Sequence, residues 1–183
     1  MPRLPRLRPA RLGVLLGLCV LAGCEAPGRS PEAAPAAPDT TVRTTAPADA
    51  VVGETIYVPV YSHIFHQDGT RELDLTATLS IRNTDPDRAL TVAEVGYYDS
   101  TGRLVRRYVE QPVSLGPLAS EAFVIEGRDR TGGVGANFLV EWVAEAEVSA
   151  PLVEAVMIST AQGQGVSLVS RGQVVRTLGE TKP

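Results

Sequence analysis

The sequence predicts an all-β domain, an antiparallel β-sandwich of immunoglobulin-like size, with a small closed β-barrel as the alternative. Three observations carry this. Leu73, Leu75, Ala77, Leu79 and Ile81 alternate with Asp74, Thr76, Thr78, Ser80 and Arg82, a period of two that gives a strand one dry face and one wet face. Further apolar runs of strand length recur between Gly, Pro and Asp turns, enough for about seven to nine strands. No stretch from Glu54 onward carries a helical period.

In chain order, strand signals begin at Glu54. The alternating run 73–82 stops at Asn83-Thr84-Asp85-Pro86-Asp87, which is turn chemistry. Leu90 to Tyr98 reads as the next strand. Its apolar phase slips near Ala93-Glu94, which predicts a bulge. Asp99-Ser100-Thr101-Gly102 turns the chain, and Leu104 to Val109 returns as the second arm of a hairpin. Pro112 and Pro117 bracket a short extended piece, and Ser120 to Glu126 is a further strand. Ala136, Phe138, Val140, Trp142 and Ala144 alternate with their neighbours, with Trp142 as the expected core anchor. Leu152 to Ile158 is apolar on both faces apart from Glu154, as in a central strand. Gly165 to Ser170 and Gln173 to Leu178 are expected to close the domain as a hairpin around Arg171-Gly172.

The chain ahead of this domain is organised differently. Arg3, Arg6, Arg8 and Arg11 precede an apolar run ending in Leu21-Ala22-Gly23-Cys24. The run is about half the roughly 20 residues a spanning helix needs, and the arginines hold its start on the cytoplasmic side. It reads as a secretory signal whose cleavage leaves Cys24 at the new N-terminus. The pattern resembles the lipobox of bacterial lipoproteins. That resemblance implies a diacylglycerol on the Cys24 sulfur, and a place on the cell membrane or outer membrane facing the periplasm or exterior. Residues 1–23 are then the signal peptide and residues 24–53 the lipidated cysteine with its linker. Residues 54–178 form the β-sandwich domain and residues 179–183 a tail. The linker holds Pro27, Pro31, Pro35, Pro38 and Pro47, many alanines and no aromatic residue. Such a segment buries too little apolar area to offset its ordering entropy, and reaches about 30 Å as a flexible coil.

Charge narrows the partners. Cleavage before Cys24 removes four of the 17 basic residues and none of the 21 acidic ones, leaving a net charge of −8. Nucleic acid is not an expected partner, because phosphate binding needs clustered Lys and Arg. A polybasic grip on anionic lipid is likewise absent, so the expected link to the membrane is the lipid anchor itself. Cys19 and Cys24 are the only cysteines. The mature domain then has no thiol for a disulfide, a metal or a nucleophile, and its core must hold it.

Tyr57-Val58-Pro59-Val60-Tyr61-Ser62-His63-Ile64 and the run Leu73 to Asp85 resemble a bacterial family known as "domain of unknown function 3124". Gly132 to Phe138 and Glu154 to Ile158 fit the same pattern. The likeness covers roughly residues 55–172. It implies a small exported protein, often a lipoprotein, and implies no activity.

Three constellations carry candidate chemistry. His63 and His66 are the only histidines. With Asp68, Glu72 or Asp74 as a third ligand they suggest zinc or copper. Residues three apart on a strand point to opposite faces, so the pair converges only if the chain turns near Ile64-Phe65. Thr131 to Asn137 is glycine-rich through Gly132, Gly133 and Gly135. It reads either as a backbone N–H nest for an anion, or as a loop whose glycines permit close approach. Arg103, Arg106 and Arg107 lie on the hairpin near Tyr97, Tyr98 and Tyr108. Such a cluster guards an edge against aggregation, and Tyr98, Arg103 and Arg107 are the candidate partner surface.

No Gly-x-Ser-x-Gly elbow is present, and no catalytic residue is assigned. The expected function is a membrane-tethered, non-catalytic envelope module that binds another protein or a polysaccharide, with no cofactor. The alternative is a metal- or small-ligand-binding domain built on His63, His66, Asp74 and the glycine loop with Asn137.

Overall fold

A computed structural model describes residues 49–160 and 165–178. The expected signal, Cys24, the linker up to residue 48 and the tail lie outside the described residues. Strand β1 (Val52–Pro59) begins two residues inside the expected linker. It is followed by β2 (His63–His66), β3 (Arg71–Asp74), β4 (Thr76–Arg82), β5 (Leu90–Tyr98) and β6 (Leu104–Arg107). Then come β7 (Val113–Leu115), β8 (Ser120–Ile125), β9 (Asn137–Ala144), β10 (Leu152–Ser159), β11 (Val166–Arg171) and β12 (Gln173–Thr177). No helix of the described residues is long and apolar enough to cross a membrane.

The strands form two separate main sheets, so the architecture is the sandwich and not the closed barrel. One sheet runs β12-β1-β9-β5, with β6 and β7 sharing the far side of β5. The other runs β11-β10-β4-β8. β2 and β3 form a small ribbon of their own. Every pairing is antiparallel.

Alternation fills the core from both sides. The first sheet contributes Ile56, Val58, Val95, Tyr97, Phe138, Val140 and Trp142. The second contributes Ala77, Leu79, Ile81, Ile125, Val153, Ala155 and Met157. Each large side chain buried there contributes on the order of 2 kcal/mol relative to exposure. Trp142 is the expected anchor, and its indole N–H donates to Glu54 Oε2 at 3.2 Å. The bulge near Ala93-Glu94 is present, as the β5–β9 register shifts between Val92 and Glu94. The turn after β4 is organised by buried Asn83. Its amide nitrogen donates to the carbonyls of Arg88, Leu115 and Gly116, and its oxygen accepts from the Asp85 amide.

Two elements differ from the sequence expectation. The run 73–82 is not one strand: β3 ends at Asp74 and β4 begins at Thr76. Leu75 between them is fully buried and donates its amide to the Ser62 carbonyl at 2.9 Å. The chain changes partners there, from β2 to β10 and β8, without losing its alternation. Nor do β11 and β12 form a hairpin. β11 pairs with β10 in one sheet and β12 with β1 in the other. The chain crosses between sheets at Gly172, as strands do at the corners of a sandwich. The Gly172 amide donates to the Val153 carbonyl at 2.9 Å. A Cβ there would run into Ile56 Cγ2 and lie 3.1 Å from the Val153 carbonyl oxygen.

Gly172→Ala is therefore expected to destabilise the domain by about 1–3 kcal/mol through overpacking. Gly116→Ala, where a Cβ meets open space, is expected to be close to neutral. Urea denaturation of the two variants checks the difference.

Candidate functional site

The two histidines do not converge. β2 runs unbroken from His63 to His66, so their side chains leave opposite faces. The turn comes after His66, through Gln67 at φ 57° and Gly69 at φ 80°. The His63 ring takes a hydrogen bond with the Ser62 hydroxyl at 3.1 Å and stands edge-on to Phe65 at 5.7 Å. Its Nε2 lies 3.8 Å from Glu72 Oε1. Asp74, an expected third ligand, is held instead by Arg130, whose guanidinium also reaches Glu72. Hydrogen bonds from Arg130 to Asp74 raise the arginine's pKa further above its ordinary value. Among the described residues no group of three or more His, Cys, Asp and Glu side chains is arranged to hold a metal.

The glycine loop docks between two turns. Ser62 donates through its amide and hydroxyl to the Gly133 carbonyl, both at 3.2 Å. Ser100 donates in the same way to the Gly132 carbonyl, at 3.0 and 2.9 Å. Three of the loop's amides are taken internally. Thr131 donates to Asp129, Gly133 to the Arg130 carbonyl and Gly135 to the Ser100 hydroxyl. Those three are not aimed outward as an anion nest requires. Gly133 sits at φ 75°, where a side chain is strained. Asn137 opens β9, opposite Pro59 and Tyr98.

Beneath this loop lies Tyr97, fully buried, its hydroxyl without a hydrogen-bond partner among the described residues. The Gly132 backbone lies against that hydroxyl, and a Cβ on Gly132 would overlap both it and the Ala136 Cβ. Burial pushes the Tyr97 phenol up to about 12, with Asp129 and Tyr108 adding to the effect.

The hairpin residues are held by their neighbours. Arg103 clamps Asp99, with Nε 3.1 Å and Nη2 3.0 Å from Oδ2. Asp99 Oδ1 also accepts from the Thr101 hydroxyl and amide and the Arg103 amide. These bonds, the Thr101 hydroxyl first, hold the Asp99 carboxyl down to about 2. Arg106 lies over the Tyr108 ring and 3.8 Å from Asp129. Arg107 pairs with Glu94. Tyr98 lies against Gly96, and burial raises its phenol pKa.

Arg107 belongs to a row of side chains that local sequence did not single out. On the outer face of the larger sheet, Arg176 opposes Thr55, Thr55 opposes Glu141, and Glu141 opposes Glu94. Arg107 completes the row through its ion pair. Thr55, Glu94 and Glu141 are all buried. A shallow cleft beside them is lined by Thr55, Glu141, Val143, Arg176 and Leu178. The available signal was one glutamate inside each of two apolar runs, Val92–Tyr98 and Phe138–Ala144.

Two expectations follow. Gly132→Ala is expected to cost roughly 1–3 kcal/mol, whereas Tyr97→Phe, which removes an unpaired hydroxyl, is neutral or stabilising within about 1 kcal/mol. The double variant recovers part of the Gly132→Ala loss in urea denaturation, because the two positions touch. Asp99 titrates below its ordinary 3.8, so the stability it supplies is complete above about pH 4 and is lost as pH falls through about 2. The stability gap between wild type and Asp99→Asn should narrow over that window in chemical denaturation.

A comparison with solved structures finds a similarity to "Crystal Structure of Thermotoga maritima 1070". Sequence identity is 10%, with 66% of this chain and 92% of that one covered at a TM-score of 0.43. No curated protein matches the chain. The family model described as "Protein of unknown function (DUF3124)" matches residues 53–175, from the second residue of β1 into β12. The chain belongs to the DUF3124 family of proteins of unknown function.

Proposed function

We propose that this protein is a lipid-tethered, non-catalytic module of the bacterial cell envelope. Its β-sandwich binds an envelope protein or a polysaccharide. The observation that carries the reading is Leu21-Ala22-Gly23-Cys24, placed behind four arginines and an apolar run too short to span. A chain of small and proline residues then separates Cys24 from β1. That spacing suits a domain held clear of a membrane while free to meet partners.

The side chains with chemical potential favour a binding role over catalysis. His63 contacts Ser62 and Phe65, Asp74 and Glu72 hold Arg130, and Arg103 caps its own turn. The net charge of −8 after cleavage points away from nucleic acid and toward proteins or neutral glycans.

Labelled palmitate fed to cells is expected to enter the wild-type protein and not Cys24→Ala. The variant should also leave the membrane fraction. Equal label in both proteins would refute the anchor.

A further inference from the structure

We infer that the outer face of the smaller sheet is a contact between two copies of this chain, which pair sheet against sheet as a weak two-fold dimer. The inference goes beyond the proposed binding role and does not depend on the lipid anchor.

The two outer faces of the sandwich differ. The larger sheet carries its charged row there, from Arg176 through Glu141 and Glu94 to Arg107. The smaller sheet, in the order β11-β10-β4-β8, sets Val169, Val156, Thr78 and Val124 side by side. The row next to it along the strands, Leu168, Met157, Ala77 and Ile125, packs in the core, so the valine row points outward. Val169 is 61% exposed, Val124 47%, and Ile158 one outward position along β10 is 45% exposed. An apolar row open to solvent across a whole sheet marks a contact surface.

Charge on this face is already answered within one copy. Among the outward residues of these four strands Glu154 is the one carboxylate. Arg171 stands opposite it in register, and Arg82 lies 3.8 Å away.

Symmetry selects the occupant. Threonine and valine share a branched outline, so the row Val169, Val156, Thr78, Val124 has nearly the same shape read from either end. Turned about a two-fold axis parallel to the strands, it meets itself reversed, Val169 over Val124 and Val156 over Thr78. The same turn lays Glu154 over Ser80 and Arg171 over Ala122, because those four residues form the neighbouring outward row. No like charges meet, and the face matches itself in shape and charge, as an isologous contact requires. The larger sheet fails the same operation. Its row brings one arginine end onto the other and Glu141 onto itself.

Four strands spaced about 4.8 Å apart, each with about seven residues, present roughly 450 Å² of flat face per copy. Two copies then cover on the order of 900 Å², just below a standard interface, which suits a weak and reversible dimer.

The test is sedimentation equilibrium on the chain from residue 24 onward with Cys24→Ala, so that neither an acyl chain nor a disulfide joins copies. A monomer–dimer equilibrium is expected, with a Kd on the order of 100 µM. Thr78→Glu and Thr78→Arg each set like charges across the two-fold axis, and each is expected to weaken pairing about tenfold or more. An equimolar mixture of the two sets opposite charges there. It is expected to pair within about tenfold of the unsubstituted face, which also shows that both variants fold. A chain that stays monomeric up to about 1 mM overturns the inference and leaves the face to the chain's own linker or to a different protein. Variants that pair as well as the unsubstituted face overturn it too, as does a mixture no tighter than either variant alone. The palmitate experiment at Cys24 is independent of this one, so the two readings fail separately.

Discussion

Apolar contact between two sheets is the interaction on which everything else in this domain depends. Both cysteines precede the folded part, so no disulfide staples it. Val58, Phe138, Val140 and Trp142 from one sheet meet Leu79, Ile81, Ala155 and Met157 from the other, all almost fully buried. A domain of about 130 residues is large enough for such a core to suffice. The polar hubs lie at the turns. Asn83 and Asp85 fasten the end of β4, and Asp99 with Arg103 fastens the β5–β6 hairpin. Their role is to fix where strands stop, so that alternating residues meet in register.

Much of this was written in local pattern. The period of two from Leu73 to Ile81, the phase slip at Ala93-Glu94 and the turn at Asp99 to Gly102 each depend on neighbours in sequence, and each is found in place. The strand break at Leu75 left no trace, because alternation continues straight through it while the pairing partners change. The crossing at Gly172 was hidden for a related reason. Two short strands around Arg-Gly look like a hairpin, and only the positions of β1 and β10 show that each strand already has another partner.

The candidate site follows the same rule. Strand geometry alone foretold that His63 and His66 part unless the chain turns between them, and the turn falls one step later. The Arg130 clamp on Glu72 and Asp74 spans more than fifty residues of sequence and had no local sign. The outer-face row from Arg176 to Arg107 required the register of five strands. Its glutamates showed only as charges out of place in apolar runs. Tyr97 was grouped with its exposed neighbours, yet it lies wholly inside, beneath the glycine loop.

The crossing of the chain between sheets is the central structural claim, since it makes β12 an edge of one sheet and β11 an edge of the other. Backbone nuclear Overhauser contacts in solution test it most directly. The account predicts contacts linking Val174 to Ile56 and Val169 to Val156. A ladder of contacts joining residues 166–171 to residues 173–177 would contradict it.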